Sequence, residues 1–125
     1  MRKILFLCAA LLVIGAVALV WHFKRPEHYG KPFAGAPKAS VRDLVEKPEQ
    51  HLDADFAIEG TIVRQCPATG CWLFLKDESG KDIRVEMSGI APTFPQRGGR
   101  RAVVEGRLTK RGDTYEVDGK AVEFK

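Results

Sequence analysis

The chain has 125 residues, with 20 Lys or Arg against 16 Asp or Glu and a net charge of +4. Arg2 and Lys3 precede an apolar N-terminal run, so the remainder carries 18 basic and 16 acidic side chains, a net +2. That balance is too slight to mark a nucleic-acid binder. The roughly 100 residues beyond the run suffice for one domain.

Ile4 to Phe23 is uncharged for 20 residues and rich in Leu, Val, Ile and Ala. About 20 apolar residues span a bilayer core as a helix. Trp21 and Lys24-Arg25 mark the far interface, where aromatic and basic anchors collect. A cleaved signal peptide competes with this anchor. Ala16-Val17-Ala18 is an A-x-A site behind an h-region of Ile4 to Gly15. Cleavage there would leave Leu19-Val20-Trp21 on the mature end, which is unusually apolar, so the uncleaved anchor is preferred. Cys8 follows Leu5-Phe6-Leu7, without the small residue expected before a lipidated cysteine, and reads as a small apolar residue of the helix. Both flanks carry two basic side chains, so charge does not set orientation. The first helix of a small anchored protein usually leaves its bulk outside. Residues 24–125 are therefore expected beyond the membrane, where disulfides persist.

Residues 24–39 hold Pro26, Gly30, Pro32, Gly35 and Pro37 and read as a semi-extended linker. Ser40 is a helix N-cap, with Asp43 three residues on in the place usually held by Glu. Val41, Leu44 and Val45 share one face, and Pro48 stops the helix, which is expected over 41–46. From Phe56 the period becomes two. Phe56, Ile58 and Ile62 alternate with polar or small residues, and Gly60 suggests a bulge or bend. Trp72 to Leu75 is a second run; Ile83, Val85 and Met87 mark a third. Ser88 to Gly99 is a loop. Ala102, Val104, Gly106 and Leu108 share a face of a fourth run, and a fifth extends from Tyr115 to Phe124. Five short strands with regular turns indicate an all-β barrel or sandwich. The long third connection matches the OB plan, a five-stranded Greek-key barrel. The domain is expected over 40–125.

The stretch Gly60-Thr61-Ile62-Val63-Arg64-Gln65-Cys66-Pro67-Ala68-Thr69-Gly70-Cys71-Trp72-Leu73-Phe74-Leu75 resembles an uncharacterised family of small exported bacterial OB-like domains with a Cys-x4-Cys-Trp turn. The similarity continues through Ile83 to Met87, Phe94-Pro95, Val103 to Gly106 and, upstream, Tyr29 to Pro32. It spans about residues 29–125 and implies export: a bacterial inner-membrane protein with its domain on the periplasmic or extracytoplasmic side.

Cys66 ends one strand and Cys71 opens the next, so the two are expected to face each other across a hairpin. Facing residues approach within disulfide range. In an oxidising compartment a structural disulfide is the preferred reading. Two thiolates also suit Cu(I) or Zn(II), and copper or zinc binding is the alternative. The extra ligands on offer are His28, His51 and Met87; each histidine is more often a surface residue, and Met87 more often core. Redox catalysis is third, because thioredoxin-like chemistry uses Cys-x-x-Cys at a helix N-terminus.

If Leu73 and Leu75 point inward, Trp72 and Phe74 point outward with Arg84 beside them. OB-folds offer such a platform to single-stranded nucleic acid. The favoured expectation is that the rings are buried, either because the opposite register turns Trp72 and Phe74 inward or because the linker, with Tyr29 and Phe33, and the 41–46 helix cover the outer face. An exported domain also seldom meets nucleic acid. Arg97, Arg100, Arg101, Arg107, Lys110 and Arg111 form a basic set that reads as a solvated rim or, alternatively, a surface for an anionic partner or lipid headgroups. Catalytic motifs for metalloproteases, α/β-hydrolases and phosphate loops are missing from the sequence. The reading is a non-catalytic binding or accessory module of the envelope. It meets the membrane through residues 4–23 and a protein partner through the Cys66–Cys71 end.

Overall fold

The computed structural model describes residues 1–23 and 26–125. Lys24-Arg25, the expected basic anchor, lie outside the described residues. Helix α1 (Arg2–Phe23) buries no residue and is long and apolar enough to cross a membrane. The other elements are β1 (Glu27–Gly30), α2 (Val41–Glu46), a 3-10 turn (Pro48–Gln50), β2 (Asp55–Gln65), β3 (Trp72–Lys76), β4 (Asp82–Glu86), β5 (Arg101–Arg111) and β6 (Thr114–Phe124).

Strands β2 to β6 close a barrel. β2 pairs with β5 through Asp55–Thr61 and with β3 through Thr61–Gln65. β3 pairs with β4, β5 with β6, and a short parallel contact between β4 and β6 closes the circuit. This is the five-stranded OB-like barrel that the alternation predicts. Its interior holds Ile58, Ile62, Leu73, Leu75, Val85, Met87, Val104, Val117 and Phe124, all nearly or fully buried. Each such side chain contributes roughly 1.5–3 kcal/mol through burial.

Helix α2 begins and ends where Ser40 and Pro48 predict. The Ser40 hydroxyl accepts the Asp43 N–H at 3.2 Å. The carboxylate at this helix start comes from Asp77, which accepts the Val41 N–H at 2.8 Å, and not from Asp43 acting as a second cap. Val41 and Leu44 seal the barrel. Gly60 does not carry the bulge expected there: the β2–β5 ladder runs through it, and the register shift falls between Ile62 and Arg64. Gly60 instead admits a close crossing, since a Cβ would collide with the Lys76 carbonyl.

The expected linker is structured over residues 27–39. β1 pairs with the C-terminal half of β6, from Glu27↔Phe124 to Gly30↔Ala121. Tyr29 stacks edge-on against Phe94 and Phe124, with ring centroids 5.1 and 5.8 Å away. Beyond β1 the chain crosses the outside of β5. There the buried Glu105 carboxylate accepts the Ala34 N–H at 2.6 Å and the Ala36 N–H at 3.3 Å. The strap ends on the edge of β2, where Ala57 exchanges hydrogen bonds with Pro37 and Ala39. Proline and glycine content concealed this docking, because the strap is held by backbone pairing and one buried acid rather than by an apolar period.

Candidate functional site

The β2–β3 turn is held from outside. Phe94 donates its N–H to Thr69 O at 2.7 Å. Gln96 Nε2 donates to Cys66 O at 2.8 Å. Gln65 Nε2 donates to Pro95 O at 3.0 Å, while its Oε1 accepts the Arg97 N–H at 2.8 Å. Gly70 takes φ +68°, a left-handed conformation that glycine adopts without penalty, and a Cβ there would press on Phe94 O at 2.7 Å. Thus the long β4–β5 loop, rather than a cross-link alone, shapes the turn. Gln65 and Gln96 were not singled out from the sequence; Gln65 stands beside Cys66, but a lone glutamine gives no periodic signal.

The two cysteines are offset. The Cys66 N–H donates to Trp72 O at 3.0 Å, so Cys66 faces Trp72 and not Cys71. The Cys71 carbonyl instead accepts the Met87 N–H at 2.8 Å. Both are half-buried and stand as separate thiols. The Thr69 and then Ala68 backbone N–H groups point at the Cys66 thiol and draw its pKa down to about 7. A cradle of amides favours the thiolate form.

Of the additional metal ligands, Met87 reaches the turn through its backbone alone, and the histidines are held elsewhere. His28 bonds the Lys31 carbonyl at 2.7 Å and stacks on Phe33, His51 lies edge-on to Phe56, and Met87 is fully buried in the core. Among the described residues, no three His, Cys, Asp or Glu side chains converge as a metal site would require.

Trp72, Phe74 and Arg84 do come together, on the outer face of β3 and β4. Leu73 and Leu75 are fully buried, and Trp72 and Phe74, which alternate with them, are only partly buried. Their rings meet at 89° with centroids 5.8 Å apart. Of the expected cover, Tyr29 and Phe33 dock with the strap elsewhere, and α2 contributes Val45 to the wall beside the rings. Pairing sets Arg64, Phe74 and Arg84 side by side across β2, β3 and β4. The Arg84 guanidinium lies 5.5 Å from the Trp72 ring centre and pairs with Glu116 at 2.6 Å and Glu86 at 3.1 Å. The Arg64 guanidinium stacks over Phe74 at 4.6 Å and lies 5.9 Å from Trp72. Among the described residues no carboxylate pairs with Arg64. Sequence reading missed Arg64, because the bulge after Ile62 turns it onto the platform and bulges leave no clear periodic trace.

The platform floors a groove of about 790 Å³, walled by Val45 of α2, Ile83 and Tyr115. The groove follows a seam. Parallel register would set Asp82–Arg84 beside Thr114–Glu116, yet β4 and β6 pair only at Val85↔Val117 and Glu86↔Asp118.

The basic rim is dispersed, and each of its carboxylate partners is shared between two cations. Arg97 and Arg100 pair with Glu27, Arg101 with Glu59, Arg107 with Asp55 and Arg111 with Glu116. Lys110 is the member without an ion pair among the described residues. The Lys120 hydrogen bond, with Arg107 beside it, holds the Asp55 carboxyl below its ordinary value.

No family model matches the chain, and no curated protein does either. The resemblance through Gly70-Cys71-Trp72 therefore stands on those residues alone. Among solved structures, the chain is similar to the hypothetical protein YgiW from E. coli at 17% identity, with a TM-score of 0.52, covering 76% of this chain and 100% of that one. That likeness establishes an OB-like barrel fold and extends to nothing beyond it.

Proposed function

We propose that the protein is a non-catalytic binding or accessory module of the bacterial envelope. In this reading α1 anchors it in the inner membrane, the barrel lies on the extracytoplasmic side, and the outer face of β3 and β4 is its working surface. The observation that carries the reading is the partly exposed pair Trp72 and Phe74 on the outer face, flanked by Arg64 and Arg84 and floored by a tightly packed barrel. Aromatic and arginine side chains on a rigid sheet are the residue types that dominate binding surfaces. The nearby carboxylates support recognition rather than proton transfer, since Glu116 is engaged by both Arg84 and Arg111.

Cys66 and Cys71 act, in this reading, as a staple beside the platform. A dithiol oxidant of the exported space supplies the chemistry. The Cys66 thiolate attacks the oxidant's disulfide, and the Cys71 thiolate then displaces the oxidant as a reduced dithiol. The pair loses two electrons and two protons. Closing so short a loop adds about 2–3 kcal/mol by restricting the unfolded chain. Copper or zinc binding would rest on these two sulfurs alone, which is fewer protein ligands than a structural zinc site uses.

The test is a free-thiol and metal count on the full chain, exported and purified without chelator. Cys66 and Cys71 should resist alkylation until reduced, with no bound metal. Two free thiols there with about one equivalent of copper or zinc would overturn the staple and make metal handling the function.

A further inference from the structure

The groove has three properties that together select a class of partner. The first is the open seam. Asp82–Arg84 and Thr114–Glu116 belong to strands that run side by side, but their facing edges lack a strand partner among the described residues. Unpaired edges accept an extended polypeptide, which supplies matching N–H and C=O groups along its length.

The second property is the charge arrangement. Arg64, Arg84 and Arg111 line the groove, and so do Asp82, Asp113 and Glu116. Glu116 holds two of those arginines. Arg64 alone is left without a carboxylate, stacked on Phe74. A nucleic-acid strand needs several unpaired cations to follow its phosphates. One free guanidinium fits one carboxylate, and it can pair in a forked geometry while still stacked on the ring.

The third property is the apolar floor. Beyond Trp72 and Phe74, the groove wall carries Val45, which is 46% exposed. Outside α1, the large apolar side chains exposed among the described residues are Val45 and Val63. Extended peptides direct every second side chain to one face, so with an acidic residue on Arg64 the residue two positions along meets the rings.

From this geometry we infer that the groove takes an extended segment of a partner polypeptide, with a carboxylate on Arg64 and an apolar side chain on Trp72 and Phe74, its backbone added at the β4–β6 seam. The inference rests on the proposed function of this face and names its ligand class. The strand edges favour a polypeptide over a small molecule, and the neutralised arginines favour it over a nucleic acid.

The probe is a library of extended peptides carrying an acidic residue and, two positions along, an apolar one, presented to the full chain in detergent. Trp21→Phe leaves Trp72 as the reporting indole. Selected peptides should change its emission saturably. Arg64→Gln should weaken them about tenfold, as loss of one charge-assisted pair implies, with Arg64→Lys intermediate. Proline at alternate peptide positions should abolish binding by removing backbone donors. Arg64 is exposed, so neither substitution threatens the fold.

Three outcomes would overturn the proposal. One is a library that yields no saturable ligand while oligothymidylate binds with the same Arg64 dependence; the face would then bind nucleic acid, and its role as the working surface would stand. Another is a concentration-dependent change without peptide, which would assign the face to a second copy of the chain. The last is no response to any probe, with none altered by Phe74→Ala, which would remove both the peptide proposal and the face.

Discussion

The barrel has two outward faces that alternation leaves equally available, and the chain treats them differently. The outside of β5 and the edge of β6 lie beneath the strap, fastened by Glu105 and by Tyr29 against Phe94 and Phe124. The outside of β3 and β4 carries two aromatic rings and stays uncovered. Had the strap served only to hide apolar surface, Trp72 and Phe74 were the larger target. Its position instead stabilises one side and leaves the other for recognition.

Among changes outside the core, the largest effect should come from unfastening the covered side. Glu105→Ala strips the acceptor from two backbone N–H groups, and denaturant unfolding should show a loss of about 2–3 kcal/mol. Hydrogen exchange should rise selectively across residues 27–37. A uniform rise would mean that the strap and barrel are one cooperative unit and would erase the contrast. On the side outside the strap, Trp72→Ala should lower stability by about 1–2 kcal/mol, because the ring lies on the outer face and is only partly buried. The neighbouring Leu73→Ala should lose about 2–5 kcal/mol, as buried leucines do. Equal losses would place Trp72 in the core and sharpen the case against a surface role.

A pH titration separates the cradle at the turn from both faces. Alkylation of Cys66 in the reduced chain should be half-maximal near pH 7. The folded thiol has the lower pKa, so its contribution is fully present above the unfolded value and fades as pH falls through about 7. The melting temperature of the reduced chain, relative to Cys66→Ala, should therefore rise from neutral pH toward pH 9. A flat difference would dissolve the cradle. The smallest change belongs to the rim: Arg107→Ala should alter stability by about 0.5 kcal/mol, since exposed ion pairs contribute little.

Much of this was legible from local pattern. Alternation along Phe56–Ile62, Trp72–Leu75 and Ile83–Met87 gave the strands and the inward set, and Ser40 with Pro48 bounded α2. Trp72, Phe74 and Arg84 could be placed on one face because a period of two fixes sidedness. Features set by distant partners were not legible. The strap depends on Glu105 finding two amides some 70 positions upstream. The bulge that rotates Arg64, and the register that sets Cys66 opposite Trp72, arise only when the hairpin closes. The ion pairs of the rim were not legible either, since each carboxylate comes from another strand.

The most direct test of the uncovered face is crosslinking in intact envelopes. A photoreactive residue would replace Phe74 in one chain and, as a control on the far side of the barrel, Arg107 in another. The account predicts a discrete adduct from position 74, lost when Arg64→Gln is added, and none from position 107. Adducts of equal yield from both positions, or none from position 74, would contradict it.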